Sequence, residues 1–140
     1  MKILRSVVFT LGLLLAVSAA HAQSATVAAH VPFDFIVGKQ VYPAGNYRLS
    51  PNGIGDKALV IRNTDESMSG ITLTSSCAKL QPAAKTVLVF HRLGNQYFLD
   101  QMWVEGSSTG RQFRKSPIET ELARNSNDRE EVTLAALIVH

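Results

Sequence analysis

Short runs rich in Val, Ile, Leu, Phe and Thr recur along most of this chain, and Gly, Pro, Asn and Asp separate them every ten or so residues. That rhythm constrains the fold more than any other feature. It leaves no room for βαβ units, whose crossovers take a dozen residues or more, and predicts a single all-β domain, an antiparallel sandwich or small barrel. The sharpest instance is the pair Thr86 to Leu93 and Gln96 to Val104, joined by Gly94-Asn95. This dipeptide suits the positive φ of a primed turn, so the two runs are expected to form a hairpin. A two-residue loop sets Leu93 against Gln96, Arg92 against Tyr97, Phe90 against Leu99 and Leu88 against Gln101. One face then carries Leu88, Phe90, Arg92, Tyr97, Leu99, Gln101 and Trp103, the other Val87, Val89, His91, Phe98, Asp100, Met102 and Val104. Both faces are mainly apolar, so the period alone leaves open which one is core.

The other elements follow from the same alternation. Val31, Phe33, Phe35 and Val37 share one side of the first run, where Pro32 predicts an edge or a bulge because it cannot donate to a ladder. Tyr42-Pro43-Ala44-Gly45 reads as a turn leading into a strand over 46–50, and further strands are expected over 58–62 and 70–76. In the last of these Ile71 and Leu73 face one way, Thr72 and Thr74 the other. Ser116-Pro117-Ile118-Glu119 combines an N-cap hydroxyl, Pro at N1 and a capping-box Glu at N3, and opens one short helix through Arg124. The nearly continuous apolar run 132–139 predicts a strand covered on both sides, central or barrel-closing.

Residues 1–22 read as an address. Lys2 and Arg5 precede an apolar stretch from Val7 to Val17, and Ala20-His21-Ala22 is a small-x-small cleavage site, so the mature chain is expected to begin at Gln23 in the periplasm or outside the cell. The stretch is too short for a stable membrane anchor, which takes roughly 20 apolar residues. Two of the fourteen Lys and Arg lie in it, leaving twelve against eleven Asp and Glu. Such a balance argues against a nucleic-acid or anionic-membrane partner, both of which need a basic patch. Cys77 is the single cysteine, so no internal disulfide is expected and a small half-buried hydrophobe is the simplest reading.

The segments 31–38 (VPFDFIVG), 42–49 (YPAGNYRL), 88–92 (LVFHR), 97–103 (YFLDQMW) and 116–124 together resemble a family of small exported proteins of acidobacterial type. The resemblance covers most of the mature chain, rests on turns and hydrophobic strands, and implies export and a β domain. It carries no catalytic or binding residue.

Motifs with chemistry are weak. Gly106-Ser107-Ser108-Thr109-Gly110 matches a nucleophile elbow, but no helix follows directly and no parallel sheet surrounds it. Ser76-Cys77-Ala78-Lys79 fits S-x-x-K without the partner motifs of that chemistry. His30, His91 and His140 have no metal-ligand spacing, and no cofactor or metal is implied. Two constellations remain. His91 and Asp100 lie diagonally on one hairpin face within side-chain reach. Arg92, Tyr97, Gln101 and Trp103 on the other combine rings, a guanidinium and an amide, the makings of a carbohydrate or amphipathic small-ligand site. With no acid/base, nucleophile or metal set in view, the expected role is non-enzymatic. An exported structural or interaction module of the cell envelope comes first, a carrier or binding domain for a small ligand second.

Overall fold

The computed structural model describes residues 25–52 and 57–139. They form eleven strands: β1 (Thr26–Val31), β2 (Phe35–Val37), β3 (Gln40–Tyr42), β4 (Gly45–Pro51), β5 (Ala58–Asn63), β6 (Ser69–Ala78), β7 (Val87–Leu93), β8 (Gln96–Trp103), β9 (Thr109–Phe113), β10 (Arg129–Ala135) and β11 (Leu137–Val139). One helix, α1 (Pro117–Asn125), precedes β10. The pairing path β10-β7-β8-β9-β6-β5-β4-β1-β11 is antiparallel throughout, and β2, paired with β3, adds the one parallel contact through β8. The path does not close, so the expected all-β fold is a sandwich and not a barrel.

The strand β6 makes the corner. Its first half, Ser69 to Leu73, pairs with β5, and its second, Thr74 to Ala78, pairs with β9. The inner sides of the two layers alternate as β geometry requires. Val27, Leu49, Leu59 and Ile61 of one layer meet Leu88, Phe90, Leu99, Met102 and Phe113 of the other in a single buried cluster. At its centre Phe35 meets Tyr47 and Phe90 edge to face, at ring centroid distances of 5.0 and 5.6 Å, and stacks on Tyr42 at 5.3 Å. The Tyr47 hydroxyl donates to the Pro43 carbonyl, so the 42–45 turn is fastened to the core, and burial pushes the Tyr42 and Tyr47 phenols up.

The hairpin turn is as expected. Gly94 has φ of 62°, whereas Asn95 keeps a negative φ, the II′ pattern with glycine first. Replacing Gly94 with Val should cost about 1–2 kcal/mol, since a β-branched side chain is strained at that φ although open space surrounds it. Urea melts of the two proteins check this, and equal midpoints would refute the turn.

Past the turn the register departs from a regular ladder. Leu93, Arg92 and Phe90 do pair with Gln96, Tyr97 and Leu99, but Val89 pairs with Gln101 and Leu88 with Met102. Asp100 is thus the extra residue of a β-bulge, and every side chain after it changes face. Met102 enters the core; Gln101 and Trp103 go to the outer side with His91.

Three other expectations are corrected or made specific. The strand β1 pairs with β4 from Val27 to Val31 and with β11 over Thr26 to Ala28, so it is an edge strand only toward Val31, and Pro32 stands just past that end, where no donor is required. The 132–139 run is not one central strand. It breaks at Ala136 into β10 and β11, which end opposite sides of the path, because the chain crosses there from one layer to the other. In β6 the alternation is as expected, and Ile71 and Leu73 form its outward side, 66% and 49% exposed, while Thr74 is buried. The inner side of β6 must be small at Gly70, whose position lies against the Tyr42 hydroxyl.

Candidate functional site

The outer side of the β7–β8 hairpin carries the densest set of chemically capable side chains. His91 Nε2 lies 3.1 Å from Asp100 Oδ2, as the diagonal placement predicts, and its Nδ1 lies 3.1 Å from Glu119 Oε1. Arg129 closes the group, with Nη2 2.6 Å from His91 Nδ1 and 3.7 Å from Glu119 Oε1. His91 and Glu119 are buried, at 8% and 3% exposure, so both depend on their partners.

Each member is placed by local physics. Alternation from Phe98, the partner of His91, sets the Asp100 carboxylate on the His91 side of the sheet, and the faces are exchanged only after it. Ser116 caps α1, its Oγ accepting from Ile118 N at 3.2 Å and donating to the Gly38 carbonyl at 2.6 Å. The helix packs Leu122 and Ala123 on Ile36, Leu93 and Phe98. In that pose Glu119, expected as the capping-box residue, extends its carboxylate to the hairpin. Gln112 of β9 continues the network by donating to the Asp100 carbonyl and Oδ1 at 2.9 and 2.8 Å. Gln101 Nε2 donates to Gln112 Oε1 at 2.9 Å, and Trp103 Nε1 to Gln101 Oε1 at 3.0 Å.

Of the four residues expected to share a ligand face, the bulge therefore separates two from two. Arg92 and Tyr97 stay on the core side. The Tyr97 ring stacks on Phe33 at 3.8 Å, and the Arg92 guanidinium lies 5.8 Å from the Tyr97 ring and 3.5 Å from Glu130. Gln101 and Trp103 join the polar chain leading to His91. Trp103 is 2% exposed, packed with Ala83 and Val89, and covered by the Lys79 ammonium 4.1 Å from the ring.

A hollow of about 480 Å³ opens above His91 and Asp100, with Ser75, Arg114 and Lys115 also on its wall. In this geometry both imidazole nitrogens face charged groups, so the ring ties α1, β8 and β10 together. No three His, Cys, Asp or Glu side chains among the described residues are arranged to hold a metal ion.

The motif residues take structural places. Ser108, the serine of the elbow pattern, sits in the loop between β8 and β9 with its carbonyl accepting from Lys79 N at 2.8 Å, and a strand follows where an elbow needs a helix. Ser76 and Cys77 lie on β6, where burial pushes the Cys77 thiol up and away from the thiolate that reactivity requires. His30 is exposed and 2.9 Å from Asn46 Oδ1. The cleavage site and His140 lie outside the described residues.

Sequence reasoning reached His91 and Asp100 but missed Glu119 and Arg129. The only available signal for Glu119 was its capping-box position, which supplies a local role and conceals the distant one. No protein-family model, curated protein or solved structure matches the chain.

Proposed function

We propose that this protein is an exported module of the cell envelope that works by holding a partner and not by catalysis, like the small exported acidobacterial β proteins its turns and strands resemble. Residues 1–22 supply the export signal in this reading. One surface carries it. On the outer side of the β5–β6 ribbon Val60 pairs with Ile71 and Ala58 with Leu73, and both β6 side chains stand largely in solvent. Single exposed apolar residues are ordinary, but adjacent ones on a flat sheet face are a usual mark of contact surfaces. The charged pair Arg48 and Arg62 borders them, giving the apolar centre and polar rim of a recognition patch. Meanwhile the space between the layers is filled by the core, as an interaction module requires and a carrier of large apolar ligands does not.

A photo-crosslinking residue placed at Ile71 in the exporting cell tests the reading. The expected result is an adduct of one defined mass, recovered from periplasm or medium, that carries the chain from Gln23 onward and disappears when Leu73→Lys is added. No adduct, or adducts of many masses indifferent to Leu73→Lys, would overturn it.

A further inference from the structure

The strands β1, β4, β5, β6 and β11 contain no Asp or Glu, so they contribute no carboxylate to the outer face of their layer. They do contribute two arginines. Cross-strand pairing sets Arg48 of β4 directly opposite Arg62 of β5, and both are exposed. Opposed residues on a ladder have Cβ atoms about 4.5–5.5 Å apart, and like charges at that spacing destabilise the pair. Nothing described nearby offsets the repulsion. None of the ion pairs or hydrogen bonds among the described residues engages either guanidinium. Asp65 stands in the turn after β5, where its Oδ1 accepts from Ser67 N at 2.9 Å. The other layer handles the same residue type differently: Arg92 of β7 opposes Glu130 of β10, with 3.5 Å between the charged atoms. Carboxylates are nearly as numerous as cations in the chain, so the bare arginine pair reflects where the fold puts them and not a shortage.

The pair shares its face with the apolar surface described above. Two residues along the strands from Arg62, Val60 pairs with Ile71, and two residues further Ala58 pairs with Leu73. At about 3.3 Å per residue these rows lie about 7 Å apart. On the opposite flank only Ala28 separates Arg48 from Leu137, which is 74% exposed. Charge and apolar area therefore lie side by side in one plane.

We propose that the partner held on this face is a protein segment that seats one carboxylate between Arg48 and Arg62 and lays apolar side chains on Ile71 and Leu73. This rests on the contact role proposed for the surface and names the chemistry of what it contacts. Two facing guanidiniums can grip a single carboxylate from both sides through charge-assisted hydrogen bonds. The incoming anion also relieves the repulsion between them, so binding recovers what the free sheet gives up. An anionic membrane fits less well. Clusters that hold a protein to anionic lipid contain roughly 4–8 cations, whereas the five strands supply only this pair.

The photo-crosslinking residue at Ile71, combined with changes at the two arginines, tests the proposal in the exporting cell. Adduct yield should fall about tenfold or more in Arg48→Gln/Arg62→Gln, as expected for losing charge-assisted bonds. In Lys115→Gln, beyond the end of β9 in the other layer, it should match the parent. Digestion of the adduct should locate an Asp or Glu of the partner within about four residues of the crosslink, the reach set by the row spacing. Converting that acid to its amide should lower the yield in the parent and lower it no further in the double variant. Melts of the purified proteins separate recognition from folding. Without the arginines the domain should be at least as stable as the parent, since like charges no longer face each other. A clearly lower midpoint would make the arginines part of the scaffold and overturn the inference. A protein adduct undiminished in Arg48→Gln/Arg62→Gln would overturn the carboxylate and leave the contact surface standing, whereas the absence of any adduct would overturn both. A product carrying the mass of a phospholipid would overturn the protein partner in favour of a membrane.

Discussion

Replacing Trp103 with Ala should destabilise the domain by about 3–5 kcal/mol, the range for deleting a large buried aromatic. The indole is 2% exposed and packs with Ala83 and Val89. Its six-membered ring also lies directly over β9: a Cβ added at Gly110 would come 2.7 Å from Trp103 Cε3. Deletion therefore opens a cavity bounded by backbone, which relaxes poorly, and takes the donor from Gln101 Oε1. Gly110→Val should be severely destabilising for the converse reason, since two backbone segments would have to separate. The two changes share one volume, so the double variant should cost less than the sum of the singles. Denaturant melts of the four proteins measure the coupling. A loss below about 1 kcal/mol in Trp103→Ala would contradict the packing described here and return the ring to the role of a ligand platform.

That ring shows where the sequence stops being informative. The turn at Gly94-Asn95 and the pairings next to it are local chemistry, and glycine at positive φ announces them. The bulge at Asp100, further along the same strand, has no such marker. Leu99-Asp100-Gln101-Met102-Trp103 alternates acceptably with either Gln101 or Met102 facing inward, and only the fit of Met102 between Leu88 and the core decides. One unmarked residue then exchanges the faces of Gln101 and Trp103, which dissolves the four-residue site that a regular ladder implies. The same limit applies at β6, where period two groups Ile71 with Leu73 but cannot say that they face solvent. The inner side is chosen by Tyr42, which leaves no room for a side chain at position 70. At the C-terminus an unbroken apolar run reads as a doubly covered strand. In fact, its residues serve two different layers in turn, a distinction that depends on where the chain crosses and not on hydropathy.

The second large effect is expected at His91. With leucine in its place, Asp100 and Glu119 would face a filled apolar position with Arg129 as the remaining cation of the group, and Arg129 is 43% exposed and 3.7 Å away from Glu119. Breaking a buried ionic group by removing one partner costs about 3–5 kcal/mol, more than the intact group contributes, because the residual charge stays desolvated. Urea melts at one pH of the parent, His91→Leu, Glu119→Leu and the double variant should show the double costing less than the sum of the singles, since the buried carboxylate left without its imidazole is then gone as well. Losses that simply add would mean that His91 stabilises by volume alone. The polar chain from Trp103 to Glu119 would then be a consequence of the helix packing and not what holds α1 on the hairpin.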